Sequence, residues 1–360
     1  MNNILSTNHT SIYKLLFVLF FAGICNLPFK CNAQEYSKLD EVPQWVKEKV
    51  SHEEYKLWEV MSSVFQIDYS FLKKDISQER KKEIESQIKK QEEYYQHLSP
   101  YDHVYLARKS TRPNIKDYIN HLFDDFIELH GDRQFKDDKA IVCGLARIGN
   151  QNFTIIAEQK GRTTKENIER NFGMPNPESY RKGIRFMKQA EKFHRPVITF
   201  IDTKGAYPGI GAEERGQGEA IASSMLEMAS LTVPTISIII GEGSSGGALA
   251  LGLGNKVLML ENAIYSILSP EGYASILWKD ASRAKEAAEK MKLTAKDLKE
   301  MNVIDEIIKE PEIEESEACE VVSQNLKNEI LKAIKKYAKM KPEDIKEERY
   351  QKFRNMGEFQ

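Results

Sequence analysis

The sequence predicts an α/β fold with a mostly parallel sheet, and this prediction depends on three observations. Five short β-rich runs lie between residues 140 and 260: AIVCGLARI (140–148), FTIIAEQ (153–159), VITFID (197–202), TISIII (235–240) and KVLML (256–260). Helical stretches separate several of these runs, and strands that alternate with helices indicate βαβ units. The run 235–240 has four isoleucines and no charge, as expected for a strand that is buried on both faces.

Two of the intervening helices are predicted by apolar side chains at helical spacing. In Glu178–Phe193 these side chains are Tyr180, Ile184, Met187, Ala190 and Phe193. In Ala212–Leu231 they are Ile221, Met225, Met228 and Leu231. Stripes of methionine and aromatic residues more often pack in a core than bind a cofactor, so we interpret both stripes as core-facing.

The first 33 residues are interpreted as a leader. The apolar run Leu15–Cys25 follows Lys14, and Cys31–Ala33 offers small residues at a possible cleavage site. This order is typical of a signal peptide. The run is shorter than the roughly 20 residues of a membrane span. An uncleaved anchor and a start codon assigned too early are the alternatives.

The remaining chain is divided into an arm, a core and a tail: residues 34–139, 140–310 and 311–360. The arm is predicted to be mainly helical, in four parts: a charged helix within 44–96, a connector at Tyr101–Pro113, a helix at Asn114–Leu129 and a turn at His130–Arg133. Ile76, Ile84 and Ile88 mark one side of the first helix. The tail is charged and is predicted to be helical.

Composition excludes several classes of protein. Lys and Arg total 52 and Asp and Glu total 54, so the net charge is −2, which argues against a dedicated nucleic-acid binder. The four cysteines form no CxxC pair, so neither a disulfide scaffold nor a structural zinc site is expected. Residues 158–195 carry ten Lys and Arg but only five Glu. A phosphate-bearing ligand, an acidic partner or a solvated helix face would each account for that local excess.

Three glycine-containing turns follow predicted strands, at Asp202–Gly209, Gly241–Gly247 and Lys160–Arg162. Small residues let the backbone approach a ligand, and amides at the start of a helix point at developing negative charge. One such turn alone is better explained by close packing of a strand on a helix. Two similar turns after adjacent strands favour a site that acts through amide donors.

The second turn also matches two short motifs, and both are unconvincing. Gly241, Gly243 and Gly246 spell the dinucleotide-binding GxGxxG, but about eight residues are too few for the crossover helix of that unit. Gly243, Ser245 and Gly247 spell the GxSxG of α/β-hydrolases. The last histidine, His194, precedes Ser245, so the Ser–acid–His order of that family is impossible. A hydrolase with another base stays open.

Five longer segments resemble the α subunit of the carboxyltransferase of multi-subunit acetyl-CoA carboxylase. They are ELHGDRQFKDDKAIVCGLARI (128–148), KGRTTKENIERNFGMPNPESYRK (160–182), FIDTKGAYPGIGAEERGQGEAIA (200–222), IIGEGSSGGALALG (239–252) and SPEGYASILWKD (269–280). Several long motifs in the right order are far more specific than either short motif. The resemblance is strong over residues 98–310.

The resemblance implies a crotonase-like fold of repeated ββα units. It implies a β chain of the same fold in an α2β2 assembly, with a biotin carboxyl carrier protein and biotin carboxylase as further partners. The reaction would move carboxyl from carboxybiotin, on the carrier, to acetyl-CoA and give malonyl-CoA for fatty acid synthesis. No metal is expected in this chain, because the zinc ribbon of the family belongs to the β chain. The expected location is the cytoplasm or the plastid stroma, the leader keeping import into a plastid open.

The same resemblance assigns the site residues. Gly246 and Gly247 match an amide pair for an oxyanion, that of biotin, and Gly205 and Ala206 match a second amide turn in the same groove. The residues carried over as substrate-binding are Tyr207, Gly243, Ser245, Lys160, Gly161, Arg162 and Arg215, the last in a helix start expected to serve packing and interface contacts. Pro or Val at either glycine of the first pair is expected to abolish turnover and leave the fold mostly intact.

Three departures from the family pattern keep alternatives open. Ser244 stands where many members have Gly, and the bulky Tyr273 stands where many have a smaller residue. The segment 312–315 differs from the usual Leu-Gly-Gly-Ala-His. A subunit of another crotonase-like acyl-CoA carboxylase or decarboxylase is therefore one alternative, and a non-catalytic scaffold subunit of the complex is another.

Overall fold

A mixed eight-stranded sheet organises the residues that the computed structural model describes, 97–311 and 315–357. Its strands are β1 (Asp125–Leu129), β2 (Ile141–Ile148), β3 (Gln151–Glu158), β4 (Val197–Thr203), β5 (Thr235–Ser244), β6 (Lys256–Leu260), β7 (Ile264–Ser266) and β8 (Glu306–Ile308). They lie in the order β1-β2-β3-β4-β5-β6-β8, with β7 beside β5. The pairs β1–β2 and β2–β3 are antiparallel and the other pairs are parallel.

The long strand β5 has two successive neighbours on one side. Its first half pairs with β6 and its last three residues, Glu242–Ser244, pair with β7. A helix at Pro270–Trp278 follows β7. Strands β6 and β7 with this helix therefore form a ββα unit, and the predicted α/β crotonase-like fold is confirmed.

Twelve α-helices accompany the sheet in the described residues. They are α1 (Pro100–Arg108), α2 (Ile115–Leu122), α3 (Thr164–Glu169), α4 (Pro177–Lys192), α5 (Ile210–Glu214), α6 (Gln217–Ser230), α7 (Ser245–Leu249), α8 (Pro270–Trp278), α9 (Ala284–Met291), α10 (Ala295–Glu300), α11 (Glu315–Tyr337) and α12 (Pro342–Arg354). None of these helices is both long and apolar enough to cross a membrane. Every residue of β4 and of β5 is buried, so these two strands lie at the centre of the core.

All five predicted strands are present, with small differences at their ends. Strand β6 has the predicted bounds, whereas β5 continues through Ser244 and so includes most of the predicted second turn. The predicted helix at 178–193 is α4, although Phe193 at its end is 55% exposed. The predicted helix at 212–231 is divided into α5 and α6, because Gly216 adopts a left-handed conformation with φ 77° between them.

Two predictions for the arm are wrong. The predicted connector at 101–113 contains α1, which a capping box between Ser99 and Asp102 and a proline in the first turn initiate. The predicted helix at 114–129 ends at Leu122, and the chain then forms β1 along the edge of β2. Gly144 of β2 permits this pairing, since a Cβ atom there would lie 2.5 Å from the Phe126 ring.

The tail is helical as predicted, in α11 and α12. Val322, Leu326 and Ile330 of α11 are buried in the same core as the sheet. The predicted leader and the predicted helix within 44–96 lie outside the described residues. The division of the chain into arm, core and tail stays a prediction.

Candidate active site

The predicted turns meet at one edge of the sheet. Strands β3, β4 and β5 are mutually parallel and end at Glu158, Thr203 and Ser244. The carboxyl ends of parallel strands lie at the same edge, which is where ligands bind in many α/β folds. The turns that follow these strands carry most of the predicted site residues.

The Gly205–Ala206 turn and the Gly246–Gly247 turn are in direct contact. A Cβ atom on Gly247 would lie 2.7 Å from both the Ala206 nitrogen and the Gly205 carbonyl carbon. Gly205 itself has φ 132°, a conformation that only glycine adopts readily. The structure therefore brings together the two amide turns that the sequence places 41 residues apart, from 205 to 246.

The backbone N–H groups of these turns differ in whether they already have a hydrogen-bond acceptor. The Gly205 N–H donates to the Thr203 hydroxyl at 3.0 Å. The Ala206 N–H has no acceptor within the described part of the chain. Helix α7 begins at Ser245 without a side-chain cap, and the N–H groups of a first helical turn have no acceptor inside the helix. Ala206, Gly246 and Gly247 are therefore the available donors, while Gly205 shapes the turn.

Ser245 forms the corner between β5 and α7. Its φ of 58° lies in the left-handed region, and its side chain is exposed. A non-glycine residue in this region is strained, and such strain is often found at functional sites. Ser244, just before it, is buried, and its hydroxyl has no partner among the described residues.

Tyr207 and Gly243 support the same two turns. The Tyr207 N–H donates to the Pro175 carbonyl at 2.9 Å, and the Gln217 side chain donates to both the Pro175 and the Tyr207 carbonyls. At Gly243, a Cβ atom would lie 3.0 Å from the Tyr265 ring of β7. Both contacts are structural, and a contact of either residue with substrate stays a prediction.

The basic residues of the predicted third turn are paired. Lys160 Nζ lies 2.5 Å from Asp202 Oδ1 and 3.7 Å from Glu242. Arg162 forms an ion pair with Asp117. A Cβ atom on Gly161 would lie 2.3 Å from the Asn167 nitrogen, so glycine there permits the close approach of α3. These residues border the site, but the predicted substrate contacts are untested.

Arg215 likewise has protein partners. Its guanidinium donates to both carboxylate oxygens of Glu178, at 3.1 and 3.2 Å, and Glu178 is fully buried. The guanidinium also lies 5.0 Å from the centre of the Phe135 ring. Arg215 thus joins the α5–α6 junction to the start of α4, as the predicted packing role requires.

Sequence reasoning missed a group of acidic residues at the strand ends, namely Glu158, Asp202 and Glu242. All three are buried. Burial raises the pKa of the Glu158 carboxyl well above its usual range. Arg108 of α1 pairs with Glu242 at 2.8 Å and with Glu271 at 2.9 Å. The available signal was an acidic residue near the end of each of three apolar strands.

Other groups with possible chemistry have structural surroundings. Burial raises the pKa values of the Cys143 and Cys319 thiols to about 12, which makes both poor nucleophiles. The Tyr273 ring packs edge-on against Trp278 at a centroid distance of 5.7 Å. Across 97–311 and 315–357, no cluster of three or more His, Cys, Asp or Glu residues is arranged to hold a metal ion.

The ββα unit and the facing amide turns define a crotonase-like carboxyltransferase fold. A solved structure with the same fold is transcarboxylase 12S, with a TM-score of 0.53 and 18% identity over 64% of this chain and 42% of that one. The family model "Acetyl co-enzyme A carboxylase carboxyltransferase-like" matches residues 51–357. The chain belongs to the family of acetyl-CoA carboxylase carboxyltransferase α subunits.

Two relatives illustrate this membership. The acetyl-coenzyme A carboxylase carboxyl transferase subunit alpha of Staphylococcus carnosus is 49% identical over 308 residues, which are 85% of this chain and 98% of the relative. The relative from Natranaerobius thermophilus is named as subunits beta/alpha. It is 56% identical over 262 residues, 73% of this chain and 43% of that protein.

Proposed function

We propose that this chain is the α half of an acetyl-CoA carboxylase carboxyltransferase that forms malonyl-CoA from acetyl-CoA together with a β chain. Family membership supports the activity, and the contact between the Gly205–Ala206 and Gly246–Gly247 turns supports the site. That contact is the single observation that carries the proposal, because it places three available amides at one edge of the sheet.

The residues present fit a reaction that develops negative charge on oxygen. The Ala206, Gly246 and Gly247 amides would donate to such an oxygen, and fixed donors of this kind need no reorganisation when charge develops. Carboxybiotin, bound to a separate carrier protein, would supply the carboxyl group. The two turns, Asp202–Gly209 and Gly241–Gly247, contain no histidine or cysteine. Their two carboxylates, Asp202 and Glu242, are buried and are paired with Lys160 and Arg108. The chain's contribution is therefore binding and electrostatic stabilisation by backbone groups, and the proton that leaves the methyl group of acetyl-CoA would be accepted outside these two turns.

The β chain is the proposed source of the remaining half of the site. Malonyl-CoA formation develops charge on acetyl-CoA as well, and one oxyanion site in this chain leaves the second anion to a partner. The beta/alpha name of the Natranaerobius relative supports this partner. The proposal also includes an α2β2 assembly, with the biotin carboxyl carrier protein and biotin carboxylase as further partners. The proposed location is the cytoplasm or the plastid stroma.

Reconstitution tests the proposal. The full chain and its β chain are co-expressed and purified, then supplied with carboxylated carrier protein and acetyl-, propionyl- or butyryl-CoA in separate reactions. The expected result is a stable complex that carboxylates acetyl-CoA, with each chain inactive alone. A stable complex without activity would favour a scaffold subunit instead. Preference for a longer acyl-CoA would replace the acetyl assignment by that of another acyl-CoA carboxylase.

A further inference from the structure

We propose that Asp202 is a positioning residue of this site, whose carboxylate fixes the Gly205–Ala206 turn against the Gly246–Gly247 turn by closing a gap between β4 and β5. The inference rests on the proposed function for its catalytic consequence. Its structural part depends only on contacts among described residues. Asp202 is not proposed to touch substrate.

The gap is an irregularity in the pairing of β4 with β5. Ile201 pairs with Ile239, but the next pair is Thr203 with Gly243. One residue of β4, Asp202, therefore stands opposite three residues of β5, 240–242. Extra residues of this kind leave backbone groups without ladder partners and redirect the strand, and they are frequent next to active sites.

Two charged side chains form hydrogen bonds with backbone groups at the gap. Asp202 Oδ1 accepts the Glu242 N–H at 3.0 Å. The Arg112 guanidinium donates to the Ile240 carbonyl at 2.9 Å. Between them, Gly241 leaves the space for the carboxylate, since a Cβ atom there would lie 2.4 Å from Asp202 Oδ1. The Asp202 carboxylate thus occupies the place of a missing side chain on β5.

The carboxylate is itself held in place. Lys160 Nζ contacts the same Oδ1 atom at 2.5 Å, and the Asp202 N–H donates to Glu158 at 3.0 Å. Asp202 is only 7% exposed. The other nearby carboxylate, that of Glu242, lies farther from Lys160 Nζ at 3.7 Å, and burial raises the pKa of Glu158 well above its usual range and so disfavours its charged form. Asp202 is therefore the charge that Lys160 neutralises first.

Both amide turns begin just beyond this fixed point. Gly205 lies three residues after Asp202, and Gly246 lies four residues after Glu242. The two turns then meet backbone to backbone at Gly247. A change in spacing at the gap would move one set of amides relative to the other. A misplacement of about 1 Å in a catalytic group can lower a rate by roughly 100-fold.

The test compares three variants of the full chain in complex with the β chain. Asp202→Ala removes the acceptor, whereas Asp202→Asn keeps an oxygen at the same place for the Glu242 N–H. The matched control is Asp305→Ala. Asp305 also accepts a backbone N–H, that of Val257 at 2.6 Å, and also pairs with a lysine, Lys352, but at the amino end of β6, away from the turns.

Asp202→Ala is expected to lower kcat by roughly 100-fold with little change in KM for acetyl-CoA. Asp202→Asn is expected to restore most of kcat, and Asp305→Ala to lower thermal stability without lowering kcat. Hydrogen exchange on the isolated chain, which needs no partner or activity, is expected to show lost protection of 203–209 in Asp202→Ala only. If Asp202→Ala does not fold, Gly241→Ala, which displaces the carboxylate, is expected to reproduce its kcat and exchange effects.

The inference is overturned if the folded Asp202→Ala variant keeps the wild-type kcat and exchange pattern, or if Asp202→Asn loses as much kcat as Asp202→Ala. An inactive wild-type complex would instead refute the proposed function. In that case the exchange data still decide whether Asp202 positions the turns. The two failures are therefore distinguishable.

Discussion

Gly247 packs against Ala206 so closely that a Cβ atom on the glycine would lie 2.7 Å from the Ala206 nitrogen. Its neighbour Gly246 is different, because a Cβ atom there would approach nothing more closely than 3.5 Å, the distance to the Ile221 side chain. The sequence expectation that either glycine accepts Val without disturbing the fold is therefore wrong for Gly247. Two backbones meet there, and a backbone has little freedom to move away.

The first prediction separates these two glycines. Gly247→Ala is expected to lower the free energy of unfolding by about 2 kcal/mol through overpacking and to lower kcat, since the Ala206 amide must move. Gly246→Ala is expected to change both by little. Urea unfolding and the carboxyl-transfer assay measure the two quantities. Equal effects of the two substitutions would contradict the contact at Gly247.

The second prediction concerns Arg215 and the buried Glu178. Arg215→Met is expected to lower the free energy of unfolding by about 3 kcal/mol, because it leaves a buried carboxylate without its guanidinium. Lys136, 3.5 Å from the same carboxylate, compensates only in part. Adding Glu178→Gln in the double variant is expected to recover part of the loss. A stable Arg215→Met variant with altered KM would instead favour a direct contact of Arg215 with substrate.

The third prediction is a pH dependence of stability that arises from Glu158. Burial raises the pKa of this carboxyl in the folded chain above its ordinary value of 4.5. Above that pH the unfolded chain releases the proton and the folded chain keeps it, so the contribution of Glu158 to stability falls as pH rises. Wild type is therefore expected to lose stability relative to Glu158→Gln as the pH rises above the ordinary pKa of 4.5. Parallel pH profiles in urea unfolding would contradict it.

The fourth prediction concerns the attachment of the tail to the core. Arg349 of α12 is 1% exposed and donates to the carbonyls of Met228, in the last turn of α6, and of Leu231 and Val233 just after it, at 2.7 to 3.1 Å. Arg349→Met is expected to lower the free energy of unfolding by about 3 kcal/mol, because these carbonyls lose a shared donor. Limited proteolysis is expected to cut α12 first. The exposed Arg354→Met is the control, and equal protease resistance of the two variants would contradict the prediction.

Much of the sheet was predictable because buried strands consist mainly of apolar residues. The apolar run 256–260 is β6 without any change of bounds. Strand β1 was missed, because the apolar residues of 114–129 also fit a helix and only pairing with the edge of β2 decides the outcome. The break between α5 and α6 at Gly216 was also missed. The apolar residues keep helical spacing across this position, although the left-handed backbone of Gly216 separates the two helices.

In the site, as in the sheet, features set by neighbouring residues were predictable and contacts between distant residues were not. The amide turns were found from glycines next to strands, together with the family resemblance. The partners of the charged residues were not, because Lys160 and Arg215 meet carboxylates 42 and 37 residues away. Spacing in the sequence contains no information about such contacts. The family resemblance assigned both residues to substrate binding, which stays a prediction, and Asp202 was overlooked.

The most direct test of the central claim removes a single amide donor. Gly246→Pro lacks the N–H, and proline is tolerated in the first turn of a helix, while Gly246→Ala keeps the N–H and controls for added bulk. In the complex with the β chain, Gly246→Pro is expected to lower kcat for malonyl-CoA formation by roughly 100-fold or more, with some loss of thermal stability relative to Gly246→Ala because proline disfavours the left-handed conformation of Ser245 before it. A folded Gly246→Pro variant with the kcat of Gly246→Ala would contradict the claim that this amide stabilises the transition state.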